Sequence, residues 1–335
     1  MTLRRIEFMS SPAAMNPTVS LNRCDGYEQV RLQKALEDTL SPLGGIASFV
    51  RPGQRVLLKP NLLTGARPQG ECVTRPEFVA AVARLVMDAG GKPFLSDSPA
   101  FGSARGVAIA NGYGPYLEEL KLPVVEFHGH RFETEHPRFA HLRLGREALD
   151  ADVVINLPKV KSHVQLTMTL GVKNLFGCCP GKMKAWWHME AGNDPDAFAE
   201  MLVETAEAIA PALTIVDGII GHEGNGPSNG QPRPLGLIAA SAHQHALDRA
   251  ILEALQIDPK RVPTIRAAER LGYAATEKTL YPLYSPEQLQ VCDWKLPERM
   301  MAIDFGAPRV IRSTFKHLYI RFIKEPLRAY SQRSA

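Results

Sequence analysis

The sequence has few cysteines, and their spacing does not match a metal or iron–sulfur site. No two of them form a C-x-x-C pair, and the five are Cys24, Cys72, Cys178, Cys179 and Cys292. Because iron–sulfur clusters are held by closely spaced cysteines, this pattern argues against a cluster in the chain. The odd number of scattered thiols instead favours a reducing compartment, and we expect a cytoplasmic protein.

Long apolar stretches and an extended basic surface are also missing. No run approaches the roughly 20 apolar residues of a membrane-spanning helix, and the N-terminus has no apolar leader core. The net charge is +4, but residues 308–335 contain seven Lys or Arg and one acid, so the residues before them carry −2. A nearly neutral body argues against nucleic acid as a partner.

Apolar runs and helical periodicities alternate along most of the chain. Residues 55–59, 92–96, 152–157 and 213–216 are typical of buried strands, and residues 74–86 and 103–120 have helical spacing between them. The pattern predicts an α/β fold with a doubly wound, mostly parallel sheet and an inserted lobe around 158–195. We expect an N-terminal extension at 1–16, the α/β domain at 17–300 and a basic amphipathic tail at 301–335.

One stretch collects basic residues without any acid. Between Val153 and Met189 the sequence has five lysines and two histidines but no Asp or Glu, which predicts attraction of an anion. We assign catalytic or substrate-activating roles to Lys159, Lys161, His163 and Lys173. A lysine near other cations has a lowered pKa, which suits a base or a Schiff-base nucleophile. The alternative is a solvated basic face.

Carboxylates follow predicted strands, where open α/β sheets bind ligands. The carboxylates are Asp97, which precedes Ser98, and the pair Asp217 and Glu223, which lie in a glycine-rich stretch. These three carboxylates would serve acid/base chemistry or hold a divalent cation. Gly224 and Gly226 would let the backbone approach a ligand closely. The alternative is a structural turn. We expect the lysine-rich segment and the acidic tips to form one pocket.

Several segments together resemble the family named domain of unknown function 362. They are Val56–Asn61, Thr74–Pro76, Asp97–Ser98, Ile155–Lys159 with Lys161 and His163, Gly171–Gly177, His188, Asp217–Gly218 and Glu223–Pro227. The resemblance adds Lys59, Asn61, Thr74, Asn174 and His188 to the expected ligand-binding residues. Many members carry ferredoxin-like cysteine motifs, which this chain lacks. The front half also looks like the nickel-pincer lactate racemase family, as an analogy of fold only.

The tail carries an apolar stripe among its basic residues. The stripe consists of Ile311, Phe315, Leu318, Tyr319, Phe322 and Ile323. A helix with this pattern either docks on its own domain or makes a peripheral membrane contact through 308–335.

Three functions remain open at this point. The leading hypothesis is an enzyme acting on a small carboxylate or phosphate. The alternatives are an iron–sulfur or redox accessory protein and a non-catalytic ligand-binding protein tethered to acidic lipid.

Overall fold

The structure is a computed structural model that describes residues 16–65, 72–181, 183–274, 278–303, 315–316 and 318–327. Apart from residue 16, the expected N-terminal extension lies outside the described residues. Of the expected tail, the described parts are 301–303, 315–316 and 318–327, so Ile311 lies outside them.

The chain alternates strands and helices, as its apolar pattern predicts. The strands are β1 (Ser20–Arg23), β2 (Arg55–Pro60), β3 (Lys92–Leu95), β4 (Gly129–Glu133), β5 (His141–Gly145), β6 (Val153–Leu157), β7 (Lys159–His163), β8 (Thr167–Thr169), β9 (Leu213–Glu223) and β10 (Gln231–Ser241). The helices are α1 (Gln29–Leu40), α2 (Pro76–Asp88), α3 (Ala104–Ala110), α4 (Gly114–Glu119), α5 (Arg146–Leu149), α6 (Gly171–Asn174), α7 (Met183–Ala191), α8 (Pro195–Ile209), α9 (Gln244–Ala254) and α10 (Pro263–Arg270).

A mixed sheet with a parallel centre organises the domain. Its strand order is β1-β10-β9-β6-β2-β3, and β3, β2, β6 and β9 run parallel. The strands β10 and β1 continue this sheet antiparallel. The carboxyl ends of the four parallel strands therefore meet at one edge, where the polar strand tips of the sequence come together.

Helices cover both faces of the sheet because neighbouring strand residues point to opposite sides. On β2, Val56 and Leu58 pack in the layer of α1 and α2, whereas Leu57 packs in the layer of α8 and α10. On β6, Ile155 packs in the layer of α1 and α2, and Val154 packs in the layer of α8 and α10. This two-sided burial explains why the strands are continuous apolar runs, and it confirms the doubly wound α/β fold.

The segment 158–195 begins as part of the sheet. The strand β7 pairs parallel with β9 and antiparallel with β8, and the chain then forms α6 and α7. The basic residues of β7 are thus fixed in a buried sheet instead of lying on a solvated face. No helix in the described ranges is long and apolar enough to cross a bilayer.

Candidate functional site

Lys159 and Asp217 form a fully buried ion pair between β7 and β9. Lys159 Nζ lies 3.0 Å from Asp217 Oδ2, and both side chains are shielded from water. The Tyr27 hydroxyl donates to Asp217 Oδ1 at 2.8 Å and accepts from Lys159 Nζ at 2.9 Å. The backbone N–H of Arg75 also donates to Asp217 Oδ2, at 3.0 Å. Each charge therefore has the partners that burial requires.

A second ion pair joins Lys59 at the end of β2 to Asp97 after β3. Lys59 Nζ lies 2.9 Å from Asp97 Oδ1, and both side chains are buried. Asp97 Oδ2 accepts from the backbone N–H of Leu62 at 2.8 Å. Gly177 packs directly over this pair, since a Cβ on it would lie 2.0 Å from Asp97 Oδ1. The glycine is needed here for close approach.

Lys161 is buried without a carboxylate partner. Its Nζ donates to Asn61 Oδ1 at 2.7 Å and to the Cys72 carbonyl at 2.8 Å. Within the described part of the chain, no acidic group lies within ion-pair distance of this ammonium. Burial therefore lowers the pKa of Lys161 to about 8; Cys72 and Asp97 oppose this shift, and the positive charges of Lys159 and Lys59 add to it.

Three asparagines connect Lys161 to helix α6. Asn61 Nδ2 donates to Asn174 Oδ1 at 2.9 Å, and Asn174 Nδ2 donates to Asn156 Oδ1 at 2.8 Å. Asn156 Nδ2 in turn donates to the Gly171 carbonyl at 3.0 Å. This directional chain leaves Asn61 Oδ1 facing Lys161, so the amide is oriented as an acceptor for the lysine.

Lys173 likewise has no acidic partner among the described residues. Its Nζ lies 4.9 Å from the centre of the Phe176 ring, and Lys184 approaches the same ring at 5.8 Å. Burial lowers the pKa of Lys173 to about 7, and the charges of Lys184 and Lys161 lower it further in the same direction. At neutral pH this amine is therefore partly unprotonated.

His163 lies beside these lysines as a neutral ring. Its Nδ1 accepts from the backbone N–H of Gln165 at 3.1 Å, which leaves the proton on Nε2. Burial, together with the charges of Lys173 and Lys161, holds the pKa of His163 well below its ordinary value. His163 can therefore donate a hydrogen bond but does not add positive charge.

Glu223 lies on the other face of the sheet from Lys161. Lys161 pairs with His222 across β7 and β9, and side chains alternate along each strand. Glu223 Oε2 accepts from the Lys295 backbone N–H at 3.0 Å, and Ser162 Oγ donates to the Lys295 carbonyl at 2.9 Å. The expectation of one pocket shared by the lysines and all three acidic tips is therefore wrong: Asp217 shares a face with Lys159 and Lys161, whereas the Glu223 carboxylate lies across the sheet.

The two loop glycines belong to the Glu223 side. The Gly224 N–H donates to the Lys295 carbonyl at 2.7 Å. A Cβ on Gly226 would lie 1.9 Å from the Ser162 carbonyl oxygen, so Gly226 is required for packing against β7. Their observed role is to hold the loop against the protein.

Three further expected residues surround the lysines. Thr74 Oγ1 donates to the Leu157 carbonyl at 2.7 Å and accepts from the Asn61 N–H at 2.9 Å, which fixes the backbone at Asn61. Ser98 Oγ accepts from the Gly181 N–H at 3.1 Å, and its carbonyl accepts from Lys184. His188 is buried, with Nδ1 3.0 Å from the Ile303 carbonyl and its ring 4.2 Å from that of Phe198.

The three carboxylates considered as metal ligands are separated by their partners. Asp97 is paired with Lys59 and Asp217 with Lys159, while Glu223 lies across the sheet. Across the described ranges, no three His, Cys, Asp or Glu side chains converge as a metal site would require. Burial raises the pKa of Cys178 to about 12 and that of Cys179 to about 11, so both stay protonated thiols.

The sequence did not single out several residues that complete the site. Tyr27 and Arg75 hold Asp217, and Asp248 accepts from the N–H groups of Gly171 at 2.7 Å and Val172 at 3.1 Å. Burial raises the pKa of Asp248 to about 6, although these N–H groups oppose the shift. His222 is buried opposite Lys161, and burial lowers its pKa to about 4. Of these, Arg75 and His222 stood inside segments that the sequence had marked, but neither was assigned a role there.

The fold and the site define an α/β protein with a buried lysine–asparagine cluster at the carboxyl edge of its parallel strands. The chain belongs to the family described as domain of unknown function (DUF362), whose model matches residues 56–253. It is 63% identical over 321 residues to a thylakoid-associated protein of Synechocystis sp., covering 96% of this chain and 100% of that one.

A solved structure also shows a likeness. It is the lactate racemase apoprotein from Thermoanaerobacterium thermosaccharolyticum, with a TM-score of 0.46 and 13% sequence identity. The alignment covers 71% of this chain and 57% of that one.

Proposed function

We propose that this protein is an enzyme that binds a small carboxylate or phosphate at Lys161 and Lys173. One contrast carries the proposal. Lys59 and Lys159 each have a carboxylate within 3.0 Å, whereas the described residues supply none for Lys161 or Lys173. A site that is short of negative charge in this way suits an anionic substrate, which would supply the missing partner.

The lowered lysine pKa values give the proposal its chemistry. Amines with pKa values of about 8 and 7 are partly unprotonated near neutral pH, so they can accept a proton from a substrate. The asparagine chain fixes Lys161, and neutral His163 offers a donor beside Lys173. Asp97 and Asp217 act in this proposal as fixed partners of Lys59 and Lys159, and no metal is required.

Calorimetry can test the proposal through proton uptake. An anion bound beside Lys161 or Lys173 raises the lysine pKa, so binding at pH 8 should take up protons from the buffer. Inorganic phosphate and oxalate serve as probes of the two anion classes, each titrated in buffers of different ionisation enthalpy. We expect uptake in the native protein, a loss of both binding and uptake in Lys161→Met and Lys173→Met, and no change in the exposed control Lys260→Met.

The result against the proposal is equally specific. Binding of either probe without proton uptake, or with unchanged affinity in both lysine variants, would locate the anion elsewhere. No binding of any small anion by correctly folded protein would make the lysine cluster structural. Circular dichroism and a urea transition on each variant separate loss of binding from loss of folding.

A second candidate function, peripheral membrane contact, is favoured by the orientation of the C-terminal helix. Residues 318–327 are helical, with a π-helical stretch at Ile320–Lys324. The Glu325 carboxylate accepts from the N–H and Oγ of Ser103 at 2.9 and 2.7 Å, and Lys316 Nζ lies 4.6 Å from the centre of the Phe101 ring. The helix thus docks on its domain largely through charged side chains.

Its large apolar side chains face outward. Phe322 is 67% exposed and Leu327 is 65% exposed, and Phe315, Tyr319 and Ile323 are exposed with them. An amphipathic helix that turns its polar side to its own domain suits an apolar phase outside it, and the basic excess of 308–335 suits an anionic surface. The Synechocystis relative is named as thylakoid-associated, which agrees with this part of the proposal. This second candidate function places the protein in the cytoplasm, at the face of a membrane.

Vesicle flotation tests the contact. We expect the native protein to float with vesicles containing phosphatidylglycerol and Phe322→Ser to remain at the bottom. Val30→Ser is the matched control because Val30 is 75% exposed and lies on α1, not on the C-terminal helix. Equal flotation of the Phe322 and Val30 variants would refute a contact through this helix.

A further inference from the structure

A pocket of about 410 Å³ lies where the C-terminal helix meets the domain. Its walls come from the loop after β3, the hairpin β4–β5, the turn before α7 and the helix 318–327. The volume falls within the range of small-ligand sites. The side chains that matter for its charge are Asp97, Glu126, His128, Arg143 and Arg321.

The acidic groups of this pocket are already neutralised. Asp97 is paired with Lys59 at 2.9 Å. Glu126 Oε1 accepts from the Ala104 N–H at 2.8 Å, and Glu126 Oε2 lies 3.7 Å from Arg321. The pocket therefore presents no free carboxylate within the described parts of the chain.

The basic groups are not balanced in the same way. His128 Nδ1 lies 2.7 Å from Glu147, but Arg143 makes no ion pair with any described residue. The Arg143 side chain packs against Gly129, since a Cβ on Gly129 would lie 2.5 Å from Arg143 Nε. Arg321 also lines the pocket, but it is paired with Glu126 at 3.7 Å, so among the described residues Arg143 is the pocket arginine without an ion pair. An anionic group in the pocket would contact Arg143 and share Arg321 with Glu126, and arginine is the side chain best suited to phosphate.

The position of Arg321 connects this pocket to the apolar face. Arg321 lines the pocket, while its neighbours Phe322 and Ile323 are exposed on the outside of the same helix. A helix that lies on a bilayer buries its apolar side chains ~5–10 Å deep, at the boundary of headgroups and acyl chains. An arginine on the same turn would then lie at the level of the lipid phosphates.

We propose that this pocket binds the phosphate headgroup of an anionic membrane lipid, with Arg143 and Arg321 as the phosphate contacts. The proposal rests on the membrane contact proposed above, and it adds selectivity to that contact. Charge attraction alone does not distinguish lipids of equal charge, whereas a pocket of fixed shape does.

The test compares vesicles of equal charge but different headgroup. Flotation is measured with phosphatidylglycerol, phosphatidylserine and a sulfonate-bearing glycolipid, each at the same fraction in phosphatidylcholine. We expect the native protein to prefer the two phosphate lipids over the sulfonate-bearing glycolipid at least about tenfold, which corresponds to about 1.4 kcal/mol. Arg143→Gln should float with all three equally and keep the charge-dependent part of binding. Arg131→Gln, an exposed change on the facing strand β4, should keep the preference.

The outcomes separate this inference from the membrane contact. Flotation without preference, or a preference that Arg143→Gln retains, overturns the headgroup pocket and leaves the contact standing. Absence of flotation overturns both. If glycerol phosphate binds in calorimetry and Arg143→Gln abolishes this, while native protein does not float, the ligand is a free phosphate ester and the lipid proposal is wrong.

Discussion

Replacing Lys161 with methionine should change how the free energy of unfolding depends on pH. Methionine keeps the unbranched shape of the side chain but removes the buried charge. The loss of the hydrogen bonds to Asn61 and Cys72 lowers stability by an amount that does not depend on pH. The slope of stability against pH is therefore the informative quantity, not the offset.

The sign and the size of this pH dependence follow from the lowered pKa of Lys161. In the folded state the pKa is about 8, against an ordinary value of 10.5, so between these values the unfolded chain binds more protons. Stability of the native protein therefore rises with pH across this window, and the penalty of the buried charge is fully present below pH 8. From pH 7 to pH 9 the Lys161 contribution amounts to about 1–2 kcal/mol.

Urea titrations at pH 7, 8 and 9 measure this difference. We expect the native protein to gain roughly 1–2 kcal/mol more than Lys161→Met over this range. Lys34→Met is the control, since Lys34 is exposed on α1, and it should follow the native slope. A Lys161→Met slope equal to the native one, or a native stability that falls relative to the variant, would refute the assignment of a lowered pKa.

Three further predictions concern other parts of the site. Gly177→Ala should destabilise the protein by about 3–5 kcal/mol in urea titrations, because its Cβ would separate Lys59 from Asp97, whereas Gly114→Ala, with open space around it, should be nearly neutral. Acylation of Lys173, followed by peptide mass spectrometry, should reach half its limiting rate at about pH 7, and a midpoint above pH 9 would contradict the site. Tyr27→Phe should lower the free energy of unfolding by about 1–3 kcal/mol, because it loses the hydrogen bonds to Asp217 and Lys159. Urea titrations measure this loss, and between pH 7 and 9 the stability of the variant should change with pH as that of the native protein does.

Local pattern predicted the fold because burial on both faces leaves a direct mark on a strand. The apolar runs at 55–59 and 152–157 correspond to β2 and β6. One predicted helix, 103–120, is in fact two, since Asn111 and Gly112 end α3 before α4 begins. Gly112 has a φ of +86°, a conformation that interrupts a helix, and the apolar periodicity on either side concealed this break.

The partners of the charged residues could not be predicted in the same way. Asp217 is held by Tyr27, 190 residues away in sequence, and Asn61 contacts Asn174 across 113 residues. Nothing in the neighbourhood of Tyr27 indicates this contact. The position of Glu223 was also hidden, because the register of β7 against β9 shifts between Lys159 and Lys161. Such a shift decides which face a side chain occupies.

The pairing of the lysines gives the segment 153–189 its physical meaning. The lysines of this segment have no nearby acids in sequence and meet two different fates in the fold: Lys159 acquires a distant carboxylate, Asp217, while Lys161 receives only neutral acceptors. Keeping an unpaired lysine buried costs stability, and the asparagine chain and Thr74 hold Lys161 and its acceptor in place instead of letting it reach water. A fold that keeps this arrangement gains an amine that changes protonation near neutral pH. This is the physical reason to seek the reaction at Lys161 and Lys173 instead of at the carboxylates.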